Sequence, residues 1–217
     1  LARPNHPNSS IQSSMLNQEN RNGNTFNGNA FVDITFLKDF KFTFNVGTTV
    51  NEIRYYTTTN PYYGFGAEQN GTVTMYHYRT TTLNLQQILN YSHNFGKHNI
   101  SVMLGHESYK YNYAEFSASK KNMFSYWGNH ELNGAVIDGS SAASYSNDYN
   151  TEGYFFRALY DYDAKYYFSA SYRRDASSRF HPDHWWGNFY SVGGAYLMSK
   201  EDWFDVKWID MLKIKFS

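Results

Sequence analysis

The sequence predicts an all-β protein, an antiparallel transmembrane β-barrel segment of about eight strands taken from a larger barrel. Three observations lead there. Aromatic residues make up 20% of the chain, 21 of them Tyr, although the mean hydropathy is −0.67. Long stretches alternate apolar and polar residues with a period of two. The connections between these stretches are short and long in turn. A helical membrane protein needs apolar runs of about 20 residues, and the sequence contains none. A soluble globule this aromatic would carry more Leu, Ile and Val for its core. A barrel wall reconciles the facts, because half of each strand faces lipid and half a polar lumen, while Tyr and Trp collect at the headgroup level.

Each element follows in order. Residues 1–24 are polar, rich in Asn and Ser and without periodicity, and are expected to form a loop or tail, with the barrel wall occupying 25–217. From Phe26, residues Gly28, Ala30, Val32, Ile34 and Phe36 share a face opposite Asn27, Asn29, Asp33 and Thr35. After Leu37-Lys38-Asp39, Phe40, Phe42, Phe44, Val46 and Val50 alternate with Lys41, Thr43, Asn45 and Asn51. Strands are then predicted over 72–95, with Leu83, Leu85, Leu89 and Tyr91 on one face, and over 98–116, with Ile100, Val102 and Leu104 on one face. Further strands cover 152–162, the run from Tyr166, 188–198 and a last one from about Met211. Short turns fall at 37–39, 96–97 and 163–164, and long loops at about 55–71, 117–151 and 174–187, with 199–210 intermediate. One rim of short turns and one of long loops is how outer-membrane barrels are built. Rings near the ends of the apolar faces (Tyr91, Phe95, Tyr154, Tyr162, Tyr166, Tyr172) fit an aromatic girdle. A soluble β-sandwich or propeller also alternates, but its strands average about 5–6 residues.

Composition excludes several functions. Lys+Arg and Asp+Glu are both 19, so no net field draws nucleic acid. Without cysteine there is neither a disulfide framework nor a thiolate site. No serine-hydrolase elbow, zinc-protease helix or phosphate-cradling loop occurs, so no enzyme activity and no cofactor are expected. His181-Pro-Asp-His184 has metal-like spacing but no further ligand in view, and reads as solvated loop rather than as a metal site. Asp161 and Asp163 bracket a turn, for which turn chemistry is favoured over calcium.

The candidate ligand contacts are aromatic and cationic. Tyr62, Tyr63, Trp127, Trp185 and Trp186, with Phe65 and Tyr126, lie in the long connections and could stack on sugar rings, against the alternative of loop-to-loop packing. Arg173, Arg174 and Arg179, beside Asp175, sit where a strand leaves the membrane. They could contact a polyhydroxylated or anionic ligand, but ion pairing that fixes the loop to the rim is favoured. Asn84, Gln86, Asn90, Glu107 and Arg157 are expected to line the lumen. The chain has no initiator Met or signal-like segment, and Leu212–Ser217 break off within a strand pattern, so it is expected to be part of something larger.

Residues 153–204 carry a more specific pattern. A Gly153-Tyr154-Phe155-x-Arg157 strand leads to the turn Tyr162-Asp163-x-Lys165-Tyr166-Tyr167. Arg173-Arg174-Asp175-x-Ser177-Ser178-Arg179-Phe180 follows, then Trp186-Gly187-x-Phe189, Ser191-Val192, Ala195-Tyr196, Ser199, Glu201 and Phe204. This run resembles the barrel of the SusC/RagA-type TonB-dependent outer-membrane transporters of Bacteroidetes. Two fainter echoes lie upstream: Phe95-Gly96-Lys97-His98 with Val102, Leu104, Gly105, His106 and Glu107, and Gly28-Asn29-Ala30 with Leu37-Lys38. The chain departs at Phe156, where many relatives carry Gly, and in the loop from His181 to Trp185. The resemblance implies a barrel of about 22 strands with an N-terminal plug, the plug lying outside this chain. It also implies import of large nutrients, chiefly glycan oligosaccharides and sometimes peptides, with a SusD-like surface lipoprotein over the mouth and energy from a TonB–ExbB–ExbD complex. A non-transporting outer-membrane barrel or a secreted all-β adhesin is the alternative.

Overall fold

A computed structural model describes residues 15–206 and 208–217. Eight strands, β1 (Gln18–Phe36), β2 (Phe40–Thr59), β3 (Thr72–Phe95), β4 (His98–Met123), β5 (Ala135–Tyr162), β6 (Tyr166–Ser177), β7 (Trp186–Leu197) and β8 (Lys213–Phe216), form one sheet. Each strand bonds to its neighbours in sequence, in the order β1 to β8, so no crossover interrupts the meander. No helix of the described residues is long and apolar enough to cross a membrane.

The short turns predicted at 37–39, 96–97 and 163–164 all join strands. Leu37 and Lys38 (φ 49° and 64°) and Asp163 and Ala164 (φ 55° and 51°) take positive φ in pairs, as a two-residue hairpin turn of right-handed twist requires. Gly96 supplies the same region at φ 64°.

The other ends differ from the sequence expectation. Strand β1 begins at Gln18, inside the stretch expected to be loop or tail, and residues 1–14 of that stretch lie outside the described residues. The 117–151 loop reduces to 124–134, because β4 continues to Met123 and β5 starts at Ala135. Strand β2 likewise reaches Thr59, and Trp186 opens β7 instead of sitting in a loop. The cause is physical: backbone pairing continues where the apolar alternation stops. Crossing the apolar band takes about 9–11 tilted residues, whereas β4 has 26 and β5 has 28.

The chain divides into two compact units, each described in turn. The turn-side unit comprises Gly28–Thr48, Thr82–Tyr111 and Tyr149–Ser217. Its outer face is apolar between two belts of rings. Near the short turns, Phe36, Phe40 and Tyr91 follow one another at ring separations of 5.4 and 4.8 Å, and Tyr162, Tyr166 and Tyr196 at 6.3 and 4.9 Å. Eight residues up β5, Tyr154 lies against His106 (4.8 Å) and Trp186 (6.0 Å). At about 3.3 Å per residue this separation is roughly 26 Å along the strand, or about 20 Å of height at a tilt of about 40°, which lies within an apolar band of about 25 Å. Between the belts the β5–β6–β7 register aligns Phe156 with Tyr172, Ala158 with Ala170 and Val192, and Phe168 with Gly194.

The opposite face is a polar ladder. Thr43 donates to Asp33 (2.6 Å), Asn45 to Gln86 (3.4 Å) and Asn99 to Asp161 (2.9 Å), while Ser171 and Ser191 share a hydrogen bond (2.7 Å). Lys41 pairs with Asp33 at 2.9 Å. The predicted two-faced wall is therefore present strand by strand.

The loop-side unit comprises Thr49–Thr81, Asn112–Asp148 and the described residues up to Asn27. Among the described residues the buried hydrophobic side chains, Val73, Met123, Tyr126 and Ala135, all belong to it. Tyr126 belongs to the 124–134 connection and clusters with Val73, Met123 and Ala135; the connection is closed by Phe124 N–H donating to the Gly134 carbonyl (2.9 Å) and by the stacking of His130 on Tyr56 (4.7 Å).

Candidate functional site

Strand parity assigns the rim arginines different duties. Arg173 points to the polar face. Its Nε donates to both carboxylate oxygens of Asp175 (2.7 and 2.8 Å), Nη2 reaches Glu107 (3.4 Å), and the guanidinium lies 5.5 Å from the Phe155 ring centre. Gly153 is paired with Asp175 in the register, and a Cβ there would stand 2.5 Å from Asp175 Oδ1. The glycine thus leaves room for the ion pair of Arg173 with Asp175.

Arg174, one residue on, faces outward. Its guanidinium covers the Trp186 ring at 4.8 Å, and Trp186 continues to Tyr154 in the upper belt. This is the arrangement of an interfacial girdle, in which an aromatic body meets a charged tip. Arg174 and Trp186, both named as ligand contacts, therefore stand on the lipid-facing side. Arg179 lies 3.9 Å over the Tyr149 ring. Trp185 donates Nε1–H to the Phe180 carbonyl (2.8 Å), closing the 178–185 connection with 41% of its surface exposed.

The loop-side candidates gather around Tyr126. Tyr62 meets that ring edge-on at 6.2 Å and Trp127 at 5.4 Å. Asn60 Oδ1 accepts from the backbone N–H of Tyr62 (3.0 Å) and of Tyr63 (2.8 Å), holding both at the start of their loop. Burial pushes the Tyr126 phenol above its ordinary value, so it stays protonated. Tyr63 and Trp127 remain open to solvent. Tyr62, Tyr63 and Trp127 thus form one group, and Trp185, Trp186 and the arginines belong to the turn-side unit.

At the short-turn end, Glu201 accepts from the Tyr166 hydroxyl (2.8 Å) and from Lys165 Nζ (3.1 Å). The hydroxyl first and the ammonium second hold its carboxyl below the usual glutamate range. Asp163 pairs with Lys97 at 3.2 Å, and Asp161 accepts from Asn99, which gives both carboxylates structural partners. The His181 and His184 rings are 6.5 Å apart in an exposed connection.

One feature escaped the sequence reading. On the polar face of the loop-side unit, tyrosines from successive strands form a ladder. Tyr55 to Tyr76 is 5.2 Å, Tyr76 to Tyr78 6.1 Å, Tyr78 to Tyr113 6.5 Å and Tyr113 to Tyr145 6.2 Å between ring centres. A concavity of about 470 Å³ runs beside it, lined by Tyr55, Tyr78, Tyr113, Asn51, Glu19 and Arg21 among others. The signal was available in Tyr76-x-Tyr78 and Tyr109-x-Tyr111-x-Tyr113, where period-two spacing puts tyrosines on one face.

No protein-family model matches the chain. Individual relatives do. The chain is 28% identical over 188 residues to the TonB-dependent receptor P3 of Formosa agariphila, covering 85% of this chain and 18% of that protein. It is 26% identical over 221 residues to the TonB-dependent receptor SusC of Bacteroides thetaiotaomicron, covering 98% of this chain and 21% of SusC. The chain thus spans about a fifth of the length of these relatives. Among solved structures, the RagAB peptide importer in its open-open state superposes with a TM-score of 0.84 at 23% identity, over 93% of this chain and 22% of that one. Two-faced strands, ring belts and sequence agree: the chain is a stretch of bacterial outer-membrane β-barrel wall that resembles the SusC/RagA-type TonB-dependent transporters.

Proposed function

We propose that this wall belongs to a TonB-dependent importer of large nutrients, chiefly glycan oligosaccharides, that works with a SusD-like surface lipoprotein and is energised by a TonB–ExbB–ExbD complex through segments outside this chain. The observation that carries the reading is the two-faced sheet itself: an apolar outside backed by a hydrogen-bonded, largely polar inside. Such a wall encloses a hydrophilic path, and the relatives are named as TonB-dependent receptors. Within it, Tyr62, Tyr63 and Trp127 offer solvent-exposed rings, and Trp185 and Arg179 lie by the 178–185 connection, as first contacts for a polyhydroxylated ligand. Arg173, by contrast, spends its guanidinium on Asp175 and Glu107, and Arg174 and Trp186 serve the lipid interface.

RagAB is a peptide importer, and its likeness here is one of fold, so peptides are the second reading. Deleting the gene and growing the strain on single glycans and single peptides tests both. Growth lost on one or more glycans supports the glycan reading, and growth lost only on peptides replaces it with the second. A full-length protein that extracts without detergent would overturn the transporter reading altogether.

A further inference from the structure

We propose that the tyrosine ladder of β2–β5, with the concavity beside it, is a binding surface for an extended, uncharged, hydroxyl-rich chain: a neutral hexose or pentose oligosaccharide. The proposal rests on the transporter reading above and assigns it a site that the exposed loop aromatics do not include.

Position comes first. The ladder lies on the polar face, so it borders the enclosed path. The strand backbones there are already paired within the sheet. Over β2–β5, whose backbones are paired on both sides, a ligand meets only side chains and finds no sheet edge of the kind that commonly holds an extended peptide.

Side-chain chemistry comes second. Each tyrosine offers an apolar ring beside a hydroxyl that can donate and accept; that of Tyr113 donates to Glu115 (2.7 Å) and is left to accept. A pyranose has the complementary make-up, patches of C–H between hydroxyls that do both. Rings packed 5.2 to 6.5 Å apart are already ordered, so binding immobilises little more.

Charge and size complete the case. One carboxylate, Glu19, and one guanidinium, Arg21, line the concavity, leaving no cationic surplus for an acidic glycan. About 470 Å³ falls within the 300–1,000 Å³ of ordinary ligand sites.

The test uses the full-length transporter with its surface partner, purified in detergent. The probes are fluorescently labelled oligosaccharides from partial hydrolysis of a neutral glucan, a xylan and a mannan, an acidic oligosaccharide mixture from pectin, and a tryptic peptide mixture. Tyr78→Ala with Tyr113→Ala is compared with Tyr78→Phe with Tyr113→Phe, which keeps the rings, and with the outer-face control Phe116→Ala. Heat-modifiable mobility on gels checks that each barrel is folded. The expected result is neutral-oligosaccharide binding by the unmodified protein, weakened about tenfold or more by the alanine pair, less by the phenylalanine pair, and unchanged by the control. Equal binding by folded alanine and unmodified proteins would overturn the ladder and leave the transporter reading standing. Binding confined to the acidic or peptide mixtures would overturn the ligand class. Binding of none of the probes would count against the reading and the inference together. Should the alanine pair not fold, the phenylalanine pair decides: unaltered affinity in it overturns the role of the hydroxyls.

Discussion

The two units of this chain draw on the same strands and solve opposite problems. In the turn-side unit, Phe42, Leu85, Val102, Phe156 and Phe168 share the outer face, while the buried hydrophobic residues of the described chain all lie elsewhere. The loop-side unit does contain a core, with Val73 fully buried and Met123 and Tyr126 nearly so, in and beside an 11-residue connection. The difference is one of solvent. Lipid accepts apolar side chains on the face of a sheet, so alternation alone satisfies that unit. Water does not, so strands that continue past the apolar band must cover apolar surface with a loop and otherwise carry Tyr, Asn, Ser and Thr.

The sharpest way to break this comparison is a charge on each outer face in the full-length protein. Phe168→Arg, between the ring belts, is expected to destabilise the barrel by about 2–4 kcal/mol in denaturant titrations in lipid. Next in size, Met123→Ala should cost about 2 kcal/mol through the cavity it leaves. That loss should appear as faster proteolysis within 124–134, with barrel stability unchanged; a fall in barrel stability instead would mean the two cores are one.

A smaller effect concerns pH. Because the Glu201 carboxyl is held below its usual range, its stabilising contribution is complete above the ordinary glutamate value of about 4.3 and is lost as pH falls through the depressed one. Glu201→Gln should therefore flatten stability against pH below about 4.5, and an unaltered profile would show that the Tyr166–Lys165–Glu201 contact does not couple to folding. The smallest changes are expected from Phe116→Arg on the loop-side outer face and from Ser171→Arg on the polar face, each within about 0.5 kcal/mol. A Phe116→Arg penalty as large as that of Phe168→Arg would move the lipid boundary up β4.

How much of this was legible in the sequence depends on which solvent wrote it. Alternation in Phe40–Val46, Ile100–Leu104 and Tyr154–Tyr162 located the turn-side strands and their facing, and the tight turns fell where read. Beyond the apolar band the signal fails: Gln18–Thr25 and Ser141–Asn150 carry polar residues on both parities, though their backbones pair as strands. The 153–204 pattern identified the family resemblance without revealing side-chain duties. Parity counted from Tyr172 would have sent Arg174 outward and Arg173 inward, yet adjacency in sequence suggested one cluster. The ladder stayed hidden because its members come from separate strands, and register, which sequence does not state, brings them together.

The turns have a consequence for how such a wall is made. Leu37, Lys38, Asp163 and Ala164 hold left-handed backbone without glycine, at about 1–2 kcal/mol per residue. Turns like these start no hairpin; the arms must zip and repay them. Since every strand pairs only with its neighbours in sequence, the arms are always close at hand, and closing each loop loses little chain entropy. Pairing is thus local at each hairpin, and a slip in one register would shift every strand paired beyond it. Replacing Asp163-Ala164 by Asn-Gly should speed that pairing, seen as faster appearance of the heat-modifiable form during refolding into lipid.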